Sequence, residues 1–157
     1  MTAESATPAA TLKEEYQLTQ QLIELLKQEQ AHLIKADIEG LMAVTGEKAR
    51  AASHMSELTN RRYQNLASAG FAPKEGGMRE WLESAASHGD AADCWQELLK
   101  LARSAKSLNN TNGLLITKHM ARNQKALNIL QGGRSNNFYG PNGQSMATIR
   151  SRGLVVG

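Results

Sequence analysis

The chain lacks most of what small enzymes and secreted domains are built from. It has one cysteine, Cys94, so neither an internal disulfide framework nor a four-cysteine metal site can form. Aromatic residues are scarce, seven in all or 4% of the chain. No apolar run approaches the roughly 18 residues that suggest a membrane span. The opening stretch "MTAESATPAATLKEEYQ" has neither a basic n-region nor an apolar h-region, so no secretory signal is expected and the default is a soluble cytoplasmic protein. Acids are absent from residues 132–157, which hold Arg134, Arg150 and Arg152; the remaining 131 residues balance at 15 basic and 15 acidic side chains. Three dispersed arginines and a balanced body do not make a nucleic-acid footprint.

Alanine and leucine dominate the apolar residues, which favours helix, and 157 residues are enough for one domain with a real core. Leu12, Tyr16, Ile23, Leu26 and Leu33 follow alternating steps of four and three, with Thr19 and Gln30 at the missing rungs. Thr11 and Glu14 have the spacing of a capping box just ahead of this seam. A second seam follows Asp37, itself a capping residue: Leu41, Val44, Ala51, Met55, Leu58 and Leu66, interrupted by Lys48 and Arg62. So short a break between the two implies an αα-hairpin. Gly70, Phe71 and Pro73 mark its end with a left-handed cap, an apolar fold-back and a block.

A short helix around "GMREWLESAAS" turns Trp81 and Leu82 inward, and Gly89 with Asp90 opens the last helix. One stripe of that helix carries Leu98, Leu101, Ala105, Leu108, Leu115, Ala126 and Ile129. A parallel one carries Trp95, Ala102, Ile116 and Leu130. "LNNTNGLL" (108–115) contains a turn signal, yet the stripe keeps its phase across it, so the helix is expected to run through Gly113. Asn112 on that stripe either fixes register inside a core or marks a stretch that is not buried in the monomer.

The sequence therefore predicts an all-α fold: an elongated antiparallel helical bundle or coiled coil of three long helices plus one short helix. The expected helices are about 11–35, 37–69, 77–87 and 90–131. A flexible N-terminus (1–10) and a Gly-rich flexible C-terminal tail (132–157) flank the bundle domain (11–131). At about 1.5 Å per residue the last helix would outrun its neighbours and expose apolar side chains to a partner helix.

Catalytic chemistry finds little support. No histidine pair has the i, i+4 spacing of a helical metal site, and His88, Asp90, Asp93 and Cys94 read as a loop and helix cap rather than as ligands. "GGRSNNFYGPNGQ" is glycine-rich but lacks the lysine and helix start of a phosphate loop. No enzyme activity, metal or cofactor is expected.

"LNNTNGLL" (108–115), "RNQKALNIL" (122–130) and "FYGPNGQS" (138–145), in that order, resemble the FlgN family of flagellar export chaperones. "LIKADIEGLMAVTGEKARAASHMSEL" (33–58) also looks like the family's first hairpin, and the resemblance spans roughly residues 12 to 145. It implies a cytoplasmic, ATP-independent chaperone for the hook-associated proteins FlgK and FlgL. Such a chaperone covers their C-terminal helical segments, prevents premature assembly and delivers them to the flagellar type III export apparatus. Carried over by motif, Leu115, Ile116, Asn123, Gln124, Ala126, Leu127 and Leu130 form the substrate face. Phe138, Tyr139 and Gly140 form a docking peptide for the export gate FlhA, with the export ATPase complex a further candidate contact. No nucleic acid and no membrane insertion are implied.

The residues alone leave alternatives open. Leu127 and Leu130 fit an internal seam equally well, and the whole chain fits a coiled-coil adaptor that assembles with itself. A ligand-binding helical sensor would need a pocket that alanine-rich seams do not suggest.

Overall fold

The computed structural model of the chain describes residues 6–84 and 89–139, with side chains as far as Gly132. Among these residues there are four helices and no strand: α1 (Leu12–Lys35), α2 (Ile38–Ser68), α3 (Glu75–Glu83) and α4 (Ala91–Tyr139). The expected all-α architecture of three long helices and one short one is found. The chain divides into two compact units, Met1–Leu115 and Ile116–Gly157.

In the first unit α1 is the middle helix and buries two sides. The expected seam of Leu12, Thr19, Ile23, Leu26 and Leu33 is buried, and so is a second line of Glu15, Leu18, Leu25 and Glu29. The second line meets α2: Leu18 and Leu25 pack with Val44, Ala51 and Leu58. Leu12 meets α4 instead, in a cluster with Leu66, Met78, Trp81, Trp95 and Leu98 that draws all four helices together. Each large apolar side chain buried here contributes about 1.5–3 kcal/mol relative to exposure. Asn112 of α4 reaches Leu26 and Glu29 further along α1, so α4 runs parallel to α1 up to Leu115 while α2 runs antiparallel.

Lys48 and Arg62, the two interruptions of the α2 seam, are matched by the two acids that α1 buries. Arg62 Nε donates to Glu15 Oε2 at 3.0 Å and Nη2 to Oε1 at 3.3 Å. Lys48 Nζ lies 2.8 Å from Glu29 Oε2. Both pairs are two heptads apart on each helix (15 to 29, 62 to 48), so together they fix the antiparallel register. The first pair is the more buried, with side chains 4% and 2% exposed. Its other bonds are supplied by Thr11 Oγ1, which donates to Glu15 Oε2 at 2.8 Å, and by Glu75, which accepts from Arg62 Nη2 at 3.2 Å. The guanidinium also lies over the Trp95 ring, 4.7 Å from its centroid. Burial pulls the guanidinium down, but the hydrogen bonds and charge of Glu15, aided by Glu75, outweigh it and raise its pKa. Burial and the bond to Glu75 likewise raise the Tyr63 hydroxyl.

The hairpin turn follows the expected signals. Ala36 takes the left-handed conformation (φ 54°), and the Asp37 amide donates back to the His32 carbonyl at 2.9 Å. Asp37 caps α2 by accepting from the Gly40 amide at 3.1 Å, and its other oxygen lies 3.0 Å from His32 Nδ1. A Cβ at Gly40 would collide with the His32 ring and crowd the Asp37 carboxylate, so any larger residue there would displace this pair. At the far end of α2, Gly70 has φ 88° and the Phe71 amide donates to the Leu66 carbonyl at 2.9 Å, the terminator read from the sequence.

Four boundaries are corrected. Thr11 makes no capping bond, because its hydroxyl is committed to the buried Glu15 carboxylate; no capping box with Glu14 forms. Residues within the expected flexible 1–10 segment are pinned: Asn65 Nδ2 donates to the Thr7 carbonyl at 3.0 Å, and Ala9 packs on the core. The short helix is Glu75–Glu83 rather than 77–87, since the Lys74 carbonyl already accepts the Gly77 and Met78 amides and Ser84 turns extended. Finally, α4 continues to Tyr139 instead of stopping at 131. Glycine in a helix costs about 1 kcal/mol against alanine but leaves helical dihedrals open, so Gly132–Gly133 is no obligatory stop. The rest of the expected tail, from Gly140, lies outside the described residues.

Candidate functional site: the open face of the last helix

As far as Leu115, α4 presents its apolar stripe to the bundle. Trp95 and Leu98 are buried, Leu101, Ala105, Leu108 and Leu115 are half-buried, and Asn112 is buried among them. Asn112 Nδ2 donates to the Leu26 carbonyl and to Glu29 Oε1, both at 2.8 Å. This answers the question posed by the polar rung: Asn112 is a register pin inside the first unit. Ala102, expected on a second inward stripe, is exposed, so α4 has a narrower buried face than the two stripes suggested.

In the second unit every described side chain except His119, which is half-buried, is exposed. Ile116, Met120, Asn123, Leu127 and Leu130 step by four, three, four and three. At 100° per residue they fall within an arc of about 80°, a heptad seam with one polar rung. Met120, Leu127 and Leu130 are 66%, 50% and 68% exposed, so the reading of Leu127 and Leu130 as internal core residues does not hold. Ala126 and Ile129 are exposed as well. Gln124 borders the seam and donates to Asn128 Oδ1 at 3.0 Å. Isolated exposed apolar residues are ordinary on a protein surface, but a contiguous row at heptad spacing marks an interaction face.

Of the seven residues expected to hold substrate, the structure brings Ile116, Asn123, Leu127 and Leu130 onto this seam, with Gln124 and Ala126 at its two edges. Leu115 stands apart: it belongs to the first unit, half-buried on the line of Leu108 and Asn112. Phe138 and Tyr139 form the last helical residues of α4, and Gly140 lies outside the described residues.

Sequence reasoning missed a charge signal that was there to be counted. All 15 acidic residues lie at or before Glu97, whereas nine of the 18 basic ones follow it. Lys118, Arg122 and Lys125 stand on the side of α4 opposite the seam, roughly 180–240° round from Ile116. They make no ion pair among the described residues.

Elsewhere, a cavity of about 530 Å³ lies between α3 and α4, lined by Arg79, Leu82, Trp95 and Leu99 among others. Another of about 370 Å³ is walled by Leu12, Tyr16, Cys94 and the acids Asp90, Asp93 and Glu97. Among the described residues no group of three or more potential ligands is placed to hold a metal, and no helix is long and apolar enough to cross a membrane. A second cluster of exposed apolar residues, Ile34, Ile38 and Met42, caps the hairpin.

The family described as FlgN protein matches residues 1–146. The flagella synthesis protein FlgN of Escherichia coli K12 is 27% identical over 126 residues, 80% of either chain. That of Proteus mirabilis is 41% identical over 58 residues, 37% of this chain and 40% of the relative, so this match covers less than half of the relative's length. That of Salmonella typhimurium is 26% identical over 98 residues, covering 62% of this chain and 69% of the relative. No solved structure matches.

Proposed function

Since the chain belongs to the FlgN family, we propose that it is a cytoplasmic flagellar export chaperone whose cargo docks on the seam of Ile116, Met120, Asn123, Leu127 and Leu130. The cargo is the C-terminal helical segment of the hook-associated proteins FlgK and FlgL. Held on the seam, it cannot pair with further copies of itself, and the complex is handed to the type III export apparatus. Phe138, Tyr139 and Gly140 serve as the contact with the export gate FlhA, and the export ATPase complex is a further partner. The reaction is binding and release, with no enzymatic step.

The observation that carries this reading is the exposed heptad row of Ile116, Met120, Leu127 and Leu130 on the second unit's part of α4. An amphipathic cargo helix laid along it would bury several large apolar side chains at once, and affinity in such interfaces concentrates in a few anchors. Full-length chain carrying Met120→Ala, Leu127→Ala and Leu130→Ala keeps its helix propensity, so its circular dichroism should be unchanged. Its capture of FlgK and FlgL C-terminal segments should fall by about tenfold or more. Capture equal to that of the unaltered chain would remove the seam from the mechanism.

The same four-three spacing also favours a second reading, an adaptor that pairs with its own copies through the seam. Light scattering separates the two. Self-assembly as the function predicts a dimer whose mass does not change with dilution and that cargo segments do not dissociate.

A further inference from the structure

We infer that the seam of α4 selects an uncharged amphipathic helix, one whose flanks carry amide and hydroxyl side chains and whose apolar row is broken by a polar residue opposite Asn123. This rests on the chaperone reading of the same face and adds the chemistry of what it accepts.

The argument begins with where charge is missing. Within about 80° of Ile116 on either side, α4 offers His119, Asn123 and Gln131 beside the apolar anchors, with Gln124 and Ala126 at the two edges and Thr117 just beyond, at about 100°. None of these is a lysine, arginine, aspartate or glutamate. Coiled-coil partners chosen by ionic pairing carry their charges on the positions that flank the apolar row. Here the flanks carry no lysine, arginine or acid; Lys118 and Lys125 stand across the helix, and Arg122 lies beyond the Ala126 flank, about 120° round from Ile116. A side chain on a docked helix would see Lys118 and Lys125 over the diameter of α4, about 10 Å, beyond the screening length at physiological salt. Charge on the cargo therefore gains little at this face. A charged flank would lose hydration against amides that can offer hydrogen bonds but no opposite charge.

Asn123 supplies the positive requirement. It occupies a seam position, exposed and with no hydrogen-bond partner among the described residues. A docked helix would bury its amide, and an apolar residue opposite would leave both ends of that amide unsatisfied. A glutamine, asparagine, serine or threonine there satisfies it and fixes the register in which the two helices meet.

Three synthetic helices test this against the full chain by fluorescence anisotropy. All share one apolar heptad row. The first has serine, threonine and glutamine flanks and glutamine opposite Asn123. The second replaces the flanking residues with glutamate, and the third keeps neutral flanks but puts leucine opposite Asn123. We expect the first to bind with an affinity that changes less than about threefold between roughly 50 and 500 mM salt. The second should bind about threefold or more weaker than the first, because its carboxylates lose hydration against neutral amides. The third should bind about tenfold more weakly and recover on the Asn123→Leu chain. An acidic helix that binds as tightly as the neutral one, or more tightly, would overturn the inference, and a preference for it that is lost at high salt would make the basic side the recogniser. Failure of the neutral helix to bind while FlgK or FlgL segments are captured overturns it too and leaves the chaperone reading standing. If neither the synthetic helices nor the natural segments bind, the chaperone reading itself falls.

Discussion

Asn112 and Asn123 are two asparagines on one helix, each set in a row of apolar residues, and their surroundings could hardly differ more. Asn112 is 1% exposed, and both its amide hydrogens are taken by α1. Asn123 is exposed, between apolar neighbours that are exposed with it. In the first unit the amide hydrogens of the polar rung are answered from α1, while its Oδ1 is buried without a partner among the described residues; in the second, no described residue answers either end. A helix whose row is completed by its own bundle is architecture, and one whose row is left open is available for a partner. The difference lies in the supply of matching residues on other helices, not in the row itself. Leu26 and Glu29 of α1 provide for Asn112, and no described residue provides for Asn123.

The contrast is broken most severely by removing the residue that ties the bundle together. Arg62→Ala leaves Glu15 with a carboxylate buried and its principal cation gone, and it also unties Glu75 and removes the guanidinium from the Trp95 ring. Loss of one partner of a buried pair costs about 3–5 kcal/mol. Urea denaturation of the variant should show a midpoint far below that of the unaltered chain. An unchanged midpoint would mean that the pair contributes register and no stability.

The next largest effect sharpens the comparison with two like substitutions. Leu66 is 0% exposed, and its truncation to alanine should cost about 2–5 kcal/mol. Leu130, 68% exposed, should lose less than about 0.5 kcal/mol on the same change. If cargo binding is then measured on the folded variants, the order reverses: Leu130→Ala weakens capture and Leu66→Ala, where it folds, does not. Equal destabilisation by both would mean that the seam is internal after all.

How much of this was legible beforehand depended on the range of the signal. The α1 and α2 seams, the Asp37 cap and the Gly70–Phe71 terminator are local, each encoded within one or two turns, and all stand where the sequence put them; the α4 stripes do so only in part, since Ala102, Ala126 and Ile129 are exposed. The partners of Lys48 and Arg62 are not local. Each looked like a fault in the α2 row, because Glu29 and Glu15 lie on a line of α1 other than the one its leucines draw most plainly. Reading α1 and α2 together, acids at 15 and 29 against bases at 62 and 48, would have given the register. The open face was half legible. The residues of the 122–130 motif were identified through the family resemblance, but no periodicity could say that Leu130 is exposed while Leu98 is buried, since both sit on unbroken rows. Only the absence of a matching helix decides that, and absence leaves no mark in the segment itself. The double glycine misled for a simpler reason: its cost is modest, and the helical path continues through it.

The smallest effect concerns the hairpin turn, where α1 hands over to α2. The Asp37 carboxyl is held below its ordinary range chiefly by the Gly40 amide it accepts from; slight burial opposes this, and His32 and Lys35 add to the lowering. A carboxyl with a depressed folded value stabilises the fold while ionised. That contribution is fully present above the ordinary carboxylate range and is lost as pH falls through the folded value. Asp37→Asn keeps an oxygen that can accept from Gly40 but removes the charge. The melting temperature of the variant should therefore lie slightly below that of the unaltered chain at neutral pH, and the two should converge as the pH drops below about 4. The cap is remote in sequence from the α4 seam, so cargo capture at neutral pH should be the same for both chains. A gap that widened on acidification would reverse the sign and show that the charge of Asp37 opposes the turn.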